Sequence, residues 1–267
     1  MRILLVGDIV GKPGRRALAR VLPELLAARS IDFTVANGEN AARGSGITEK
    51  LLGEIVAAGV DVVTMGDHVW KRREVIALLG RRRDLLRPAN LPGACPGVGA
   101  QVFQARNGAA VGVVTVVGRT FMGPSDCPFR RAEEEVARLK AATPIVLLEI
   151  HAEASSEKMA MGWKFAGEAT CVFGTHTHVQ TADERVLRGG TAYITDLGMT
   201  GPHESVIGRD IGNVLFRFET QMHAPFTVAS GDVRVCGAVV TLDPATGKAA
   251  AIERVQLPVA VDGDGDE

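Results

Sequence analysis

Residues 2–8, RILLVGD, set an apolar run against a glycine and then a carboxylate. A similar succession recurs at 32–39 (DFTVANGE), 61–67 (DVVTMGD), 144–151 (PIVLLEIH) and 170–178 (TCVFGTHTH). Short, continuous apolar runs of this kind suit strands covered on both faces, the habit of central strands in an α/β sheet. Open sheets bind ligands just outside the carboxyl ends of their strands. The succession therefore delivers Asp8, Glu39 with Asn40, Asp67 with His68, His151, and His176 with His178 to a single crevice.

The intervening chain is βα in character. Ala17 to Ala28 has helical apolar spacing despite Pro23, and Thr48 caps a second helix that ends at Gly59. Residues 84–99 are rich in Pro and Gly and form an irregular loop expected to close over the crevice, bringing Arg87 or Asn90 near a substrate. Residues 100–106 and 110–117 read as a hairpin about Asn107-Gly108. Runs at 226–228, 232–241 and 249–256 read as an antiparallel second sheet. The expected fold class is α/β: a two-sheet β-sandwich flanked by helices, with the metal site at strand C-terminal ends. One domain is expected over 1–267, with a disordered acidic tail at 261–267.

Asp and Glu offer hard anionic oxygen and His offers imidazole nitrogen, a mixture that suits Mn, Fe or Zn better than Ca or Mg. Asp8, Glu39, Asp67, His151, His176 and His178 suffice for two ions. His68 is left over, and a spare His at such a site is a natural general acid. Taken singly, Asp8 reads more readily as a turn or as the cap of a helix near Pro13. Asp67 and His68 read equally as a cap for a helix near Lys71, and a lone H-x-H is more often not a ligand pair. The common order and the strand-end placement favour the metal reading.

The segments GDIVGKPGR, ANGENAARGSGIT, GDHVW, EIHAEASSEK and GTHTHVQTADE together resemble the YmdB-like branch of the binuclear metallophosphoesterases, from the first strand to about residue 210. The resemblance implies two ions, iron or manganese: one on Asp8, Glu39, Asn40 and His178, the other on Glu39, Asp67, His151 and His176. Glu39 would bridge them and His68 would donate a proton. It also implies a phosphodiesterase acting on 2′,3′-cyclic, or 3′,5′-cyclic, nucleotides. Two features depart from pattern. The wider superfamily has D-x-H at the first strand end, where Asn40 here replaces the missing ligand. The family's Gly-Asn-His is Gly66-Asp67-His68 in this chain. An extra carboxylate should hold metal more tightly and weaken its Lewis acidity. A phosphomonoesterase, a slow-turnover nucleotide- or RNA-binding protein, and purely structural ions are the alternatives.

The 30 basic and 31 acidic residues give a net charge of −1, so no global field draws nucleic acid or an anionic membrane. Any phosphate preference must be local. Aromatics are 4% of the chain, leaving few stacking platforms, with Trp70, Phe121, Trp163 and Tyr193 as candidates near the site. GKPGRR at 11–16 lacks P-loop spacing and reads as a helix start near the phosphate; Arg81 to Arg83 read as a solvated helix end. His203 and His223 receive no role, although His203 could line the crevice. The scattered Cys95, Cys127, Cys171 and Cys236 suit reduced thiols, and no run is long enough to span a membrane. A cytoplasmic enzyme is expected, with a cyclic nucleotide as partner, no membrane partner, no nucleic-acid partner of choice, and self-association left open.

Overall fold

The computed structural model describes residues 1–260; the acidic tail at 261–267 lies outside the described residues. The first half opens with β1 (Arg2–Val6), β2 (Asp8–Ile9), α1 (Gly11–Ala28), β3 (Phe33–Asn37), α2 (Glu49–Ala57), β4 (Val62–Thr64), α3 (Val75–Arg81), β5 (Leu85–Leu86), β6 (Ala100–Gln104) and β7 (Ala110–Val117). It continues through α4 (Pro128–Lys140), β8 (Val146–His151), α5 (Ser155–Lys164), β9 (Cys171–Thr175), β10 (Arg185–Leu187), β11 (Thr191–Ile194) and β12 (Met199–Glu204). The chain closes with α6 (Ile211–Thr220), β13 (Gly231–Leu242) and β14 (Ala249–Pro258).

The strands form two sheets. An eight-stranded sheet runs β2-β12-β13-β1-β3-β4-β5, with β14 paired to β13, and a six-stranded sheet runs β10-β11-β9-β8-β7-β6. In each, the strands that deliver site residues are parallel: β1–β3–β4 in one and β7–β8–β9 in the other. Every residue of β3, β4, β8 and β9 is buried, as continuous apolar runs require. Ile3, Leu5, Phe33, Val35, Leu147, Phe173 and Ile194 meet in the layer between the sheets, while α1 and α2 cover the outer face of the first through Leu18, Leu22, Leu52 and Ile55. The parallel strands therefore end together at one rim.

The 100–117 hairpin forms as expected, β6 pairing antiparallel with β7. Thr48 caps α2 by accepting a hydrogen bond from Leu51 N. The helix expected near Lys71 starts instead at Val75, after a turn-rich stretch that carries His68. The expected C-terminal second sheet is corrected: β13 pairs antiparallel with β1 and joins the first sheet, while the second is built around β7–β9. The physical reason is that β13 is apolar on both sides, Val233, Val235 and Val239 facing one core and Ala238, Val240 and Leu242 the other. Such a strand belongs inside a sheet. Residues 226–228 form no strand of their own, only a bridge from Val228 to Arg209.

Candidate metal centre

Asp8, Glu39, Asn40 and His151 are all 2% exposed or less, and the buried carboxylates face imidazoles and an amide. Ligand atoms of Glu39, Asp67, His151 and His176 all lie within 4.8 Å of one another. Beside them, His178 Nε2 stands 3.7 Å from Asp8 Oδ1 and 3.1 Å from Asn40 Nδ2. The donors thus form two adjoining groups, joined by the hydrogen bond from His176 N to Asp8 Oδ2. His176 and His178, which belong to different groups, both adopt left-handed backbone (φ 96° and 65°). Glycines precede these residues for steric reasons. A Cβ on Gly66 would lie 2.1 Å from the His151 ring, and one on Gly174 would lie 1.8 Å from the Thr195 carbonyl oxygen.

Three imidazoles have their outward nitrogen fixed. His151 Nδ1 donates to Thr175 Oγ1 (2.9 Å), because that hydroxyl spends its own proton on Glu149 Oε1 at 2.7 Å. His178 Nδ1 donates to the Ile207 carbonyl (2.9 Å), and His176 Nε2 lies 3.3 Å from Glu153 Oε2. The other nitrogen of each ring faces the carboxylates, the arrangement in which a second partner fixes the tautomer of a metal-ligating His. His68 differs: its Nδ1 meets Asn40 Oδ1 at 2.8 Å, and its Nε2 is 3.9 Å from Asp67 Oδ2 at the rim.

The donor set fits metal ions. Glu39 Oε1 is buried and faces the imidazoles of His151 (3.1 Å) and His68 (3.4 Å), and the carboxylates of Glu39, Asp67 and Asp8 all lie against imidazoles. Burial pushes the Asp8 carboxyl up to about 7. For Asp67, hydrogen bonds from His151 and His176 outweigh burial and hold the carboxyl well below its usual range; Glu39 is likewise lowered, burial being outweighed by His151. His151 is raised because the charge of Glu39 and the bond to Asp67 overcome burial, whereas burial lowers His68 and His178. Protons here do part of what cations would do. Asn40 turns its amide nitrogen toward Asp8 and His178, so it can hold a metal only in the opposite amide orientation.

A further tier holds these ligands, and sequence reasoning missed most of it. Asn37 Nδ2 donates to Glu149 Oε1 (2.8 Å), while Asn37 Oδ1 accepts from Glu39 N. Beneath the H-x-H loop, Lys158 Nζ meets Asp196 Oδ2 at 2.6 Å with both side chains buried. The same carboxylate accepts from Thr177 N and, at 2.7 Å, Thr177 Oγ1, between the two histidines. The available signal was positional: Asn37 and Glu39, like Glu149 and His151, are two apart at a strand end. Nothing comparable marked Lys158 or Asp196.

Other expectations are corrected. Arg87 donates to the carbonyls of Pro88, Pro96 and Cys95 and braces the 84–99 loop internally, while Asn90 ties that loop to Val117 at the end of β7 and to Asp126. Tyr193 is buried with its hydroxyl on Thr195, Trp163 stacks with Arg185, and Phe121 is exposed; Trp70, two residues past His68, adjoins the site in the chain. His203 Nδ1 bonds to the Gly201 carbonyl, and its Nε2 approaches Cys236 Sγ. Asp8 caps no helix, since α1 has Val10 at its N-cap.

Two sheets whose strand ends gather buried carboxylates and imidazoles define a metal-binding protein of the phosphoesterase type. The model of the YmdB-like protein family matches residues 4–255, and the chain belongs to that family. It is 46% identical over 257 residues to the 2′,3′-cyclic-nucleotide 2′-phosphodiesterase of Bacillus subtilis, covering 96% of this chain and 97% of that one. A putative phosphatase/phosphodiesterase of Mycoplasma pneumoniae is 32% identical, covering 96% and 93% of the two chains. Among solved structures, a hypothetical protein from Thermus thermophilus superposes with a TM-score of 0.90 at 40% identity, covering 97% of this chain and 99% of that one. A phosphatase from Mycoplasma pneumoniae also gives 0.90, at 32% identity, covering 97% and 93%.

Proposed function

We propose that this protein is a metal-dependent phosphodiesterase hydrolysing 2′,3′-cyclic nucleotides, with 3′,5′-cyclic nucleotides as secondary substrates. The observation that carries this reading is the set of three imidazoles whose outward nitrogens are tied to Thr175, Ile207 and Glu153 while their other nitrogens face the carboxylates. The substrate class follows the Bacillus relative's name. One ion would sit on Asp8, Glu39, Asn40 and His178 and the second on Glu39, Asp67, His151 and His176, iron or manganese suiting this oxygen–nitrogen set. Bound there, the pair supplies Lewis-acid charge for the phosphate oxygens and an acidified water as nucleophile.

The chain's own residues do the rest. His68, lowered by burial and seated at the rim, holds the proton for the leaving oxygen. With the Asn40 amide turned to hold a metal, its Nδ2 would donate to His68 Nδ1, which puts the imidazole proton on the outward Nε2. Asp67 is 35% exposed and closes the open side of the cluster. We read 1–267 as one catalytic domain, supported by a core to which both sheets contribute. A cytoplasmic site of action is supported by four unpaired cysteines, and no helix among the described residues is long and apolar enough to cross a membrane. Self-association is supported by the exposed Leu215, Phe216 and Phe218 of α6.

The test is hydrolysis of 2′,3′-cyclic AMP by protein stripped with chelator and refilled with manganese. Metal-dependent formation of 3′-AMP is expected. Turnover of p-nitrophenyl phosphate without turnover of the cyclic diester would make this a monoesterase instead.

A further inference from the structure

Helix α6 meets the body of the protein along one edge only. Asp210 caps it, its carboxylate accepting from Asn213 N at 2.9 Å, and Gln221 ends it in left-handed backbone (φ 59°). Between these caps Ile211, Val214, Leu215 and Phe218 fall at i, i+3, i+4 and i+7, the spacing that gathers apolar side chains into one stripe. Of the four, Val214 alone is buried. Exposed Ile207 and Met222 flank the helix before and after it in the chain. A ten-residue helix is marginal in water by itself and draws its stability from packing its apolar face, yet most of this face is open to solvent.

The same stretch supports a residue of the metal centre. The Ile207 carbonyl accepts from His178 Nδ1 at 2.9 Å, and Ile207 itself, a β-branched residue, is held in left-handed backbone (φ 47°). Such a conformation persists only where its surroundings impose it. Here the turn is closed by the paired backbone of Val206 and Arg209 and fastened to the start of α6 through residues 227–228. Arg209 bridges to Val228, Asp210 N donates to the Thr227 carbonyl, and Asn213 Nδ2 donates to Thr227 Oγ1. The helix and the support of His178 therefore form one unit.

We propose that two copies of this chain pair face to face through α6, and that the pairing holds the Ile207 turn, and with it His178, in place. Area and charge both favour a second copy. Ile207, Ile211, Leu215, Phe218 and Met222, between 42% and 73% exposed, offer roughly 500 Å² of surface. Two such faces give about 1,000 Å², the floor for a specific protein interface before any flanking side chain is added. Residues 206–222 carry two basic side chains, Arg209 and Arg217, and two acidic ones, Asp210 and Glu219. The face thus has no net charge to draw nucleic acid, and it lacks the rows of Lys and Arg with which an interfacial helix engages a membrane. The effect on His178 rests on the metal reading of the centre; the pairing itself does not.

The experiment is sedimentation velocity on the full chain over a series of concentrations, with manganese affinity titrated at each. The wild type is expected to sediment at twice the mass of one chain and to pass to single chains on dilution. Once single, it is expected to bind manganese roughly 10-fold more weakly, the loss that follows when the outer partner of a ligating His is loosened. Leu215→Glu/Phe218→Glu, at two exposed positions, should raise the dissociation constant of the pair by at least about 100-fold and bind manganese as the diluted wild type does. Ile76→Glu, at an exposed apolar position on α3, should leave both quantities unchanged. A wild type of single-chain mass at every concentration, or a double variant that pairs as tightly as the wild type, would overturn the pairing. So would single chains that float with phosphatidylcholine vesicles through these side chains, which would assign the face to lipid. Manganese affinity that does not follow the mass would overturn the link to His178. Pairing as expected with no manganese bound by either form would support the interface and sink the metal reading.

Discussion

The inner wall and the outer rim of the metal centre are built differently. On the inner wall His151 and Glu39 are 0% and 1% exposed, and each touches a partner that Glu149 anchors, Thr175 for His151 and Asn37 for Glu39, while Lys158 with Asp196 locks the loop between His176 and His178. On the rim, Asp67, His68 and His176 are 35%, 26% and 22% exposed. A buried ligand set needs fixed geometry, whereas groups that meet substrate must be reachable. The contrast sets a fixed inner wall against a reachable rim, where, on the proposed function, His68 would meet the reacting phosphate beside the outer ligands Asp67 and His176.

The contrast breaks most completely at Glu39. Glu39→Ala should remove both ions by elemental analysis and lower activity by at least about 10³-fold, equivalent to roughly 4 kcal/mol. Lys158→Met strands the buried Asp196 charge and should cost about 3–5 kcal/mol, a fall on the order of 10 °C in Tm by calorimetry. Adding Asp196→Asn should recover part of that loss. On the rim, His68→Ala should lower kcat by about 10²-fold or more with metal content unchanged; concurrent loss of metal would place His68 on the wall. Asp67→Asn should weaken manganese affinity and move the acid limb of the pH–rate profile toward lower pH, and an unmoved profile would remove Asp67 as a tuning group.

Metal-free protein sharpens the same comparison through pH. Asp8, raised from 3.8 to about 7, and His151, raised above its usual 6.5, both bind protons more tightly folded than unfolded. Each contributes stability that is full below its unfolded value and lost as pH rises through its folded value. Lowered Glu39 and Asp67 act in the opposite sense, but their contribution is complete by about pH 5. Lowered His68 and His178 gain stability as pH rises toward 6.5 and offset part of this, so stripped protein should lose Tm from about pH 7 upward by scanning calorimetry, and manganese should flatten that loss.

The clustering of these side chains was legible in sequence because they stand at the ends of both-faces-buried strands, where glycine lets backbone and ring approach closely. Gly66 against the His151 ring and Gly174 against the Thr195 carbonyl are instances. The braces were not legible: Asn37 meets Glu149 across 112 residues, and Lys158 meets Asp196 across 38, with no shared motif. Strand β13 misled because its apolar run is compatible with either sheet, and only its pairing with β1 decides. Arg87 and Asn90 looked available for substrate because a Pro/Gly-rich loop does not reveal how much backbone, its own at Pro88 or that of the neighbouring β7 end at Val117, needs a hydrogen-bond partner.

The most direct test of the account is an anomalous-scattering map of manganese-loaded crystals. Two peaks about 3.5–4 Å apart are expected, one beside Asp8, Asn40 and His178, the other beside Asp67, His151 and His176, with the Glu39 carboxylate between them. A single peak, or a pair from which Glu39 is remote, would contradict the division of donors on which the proposed function stands.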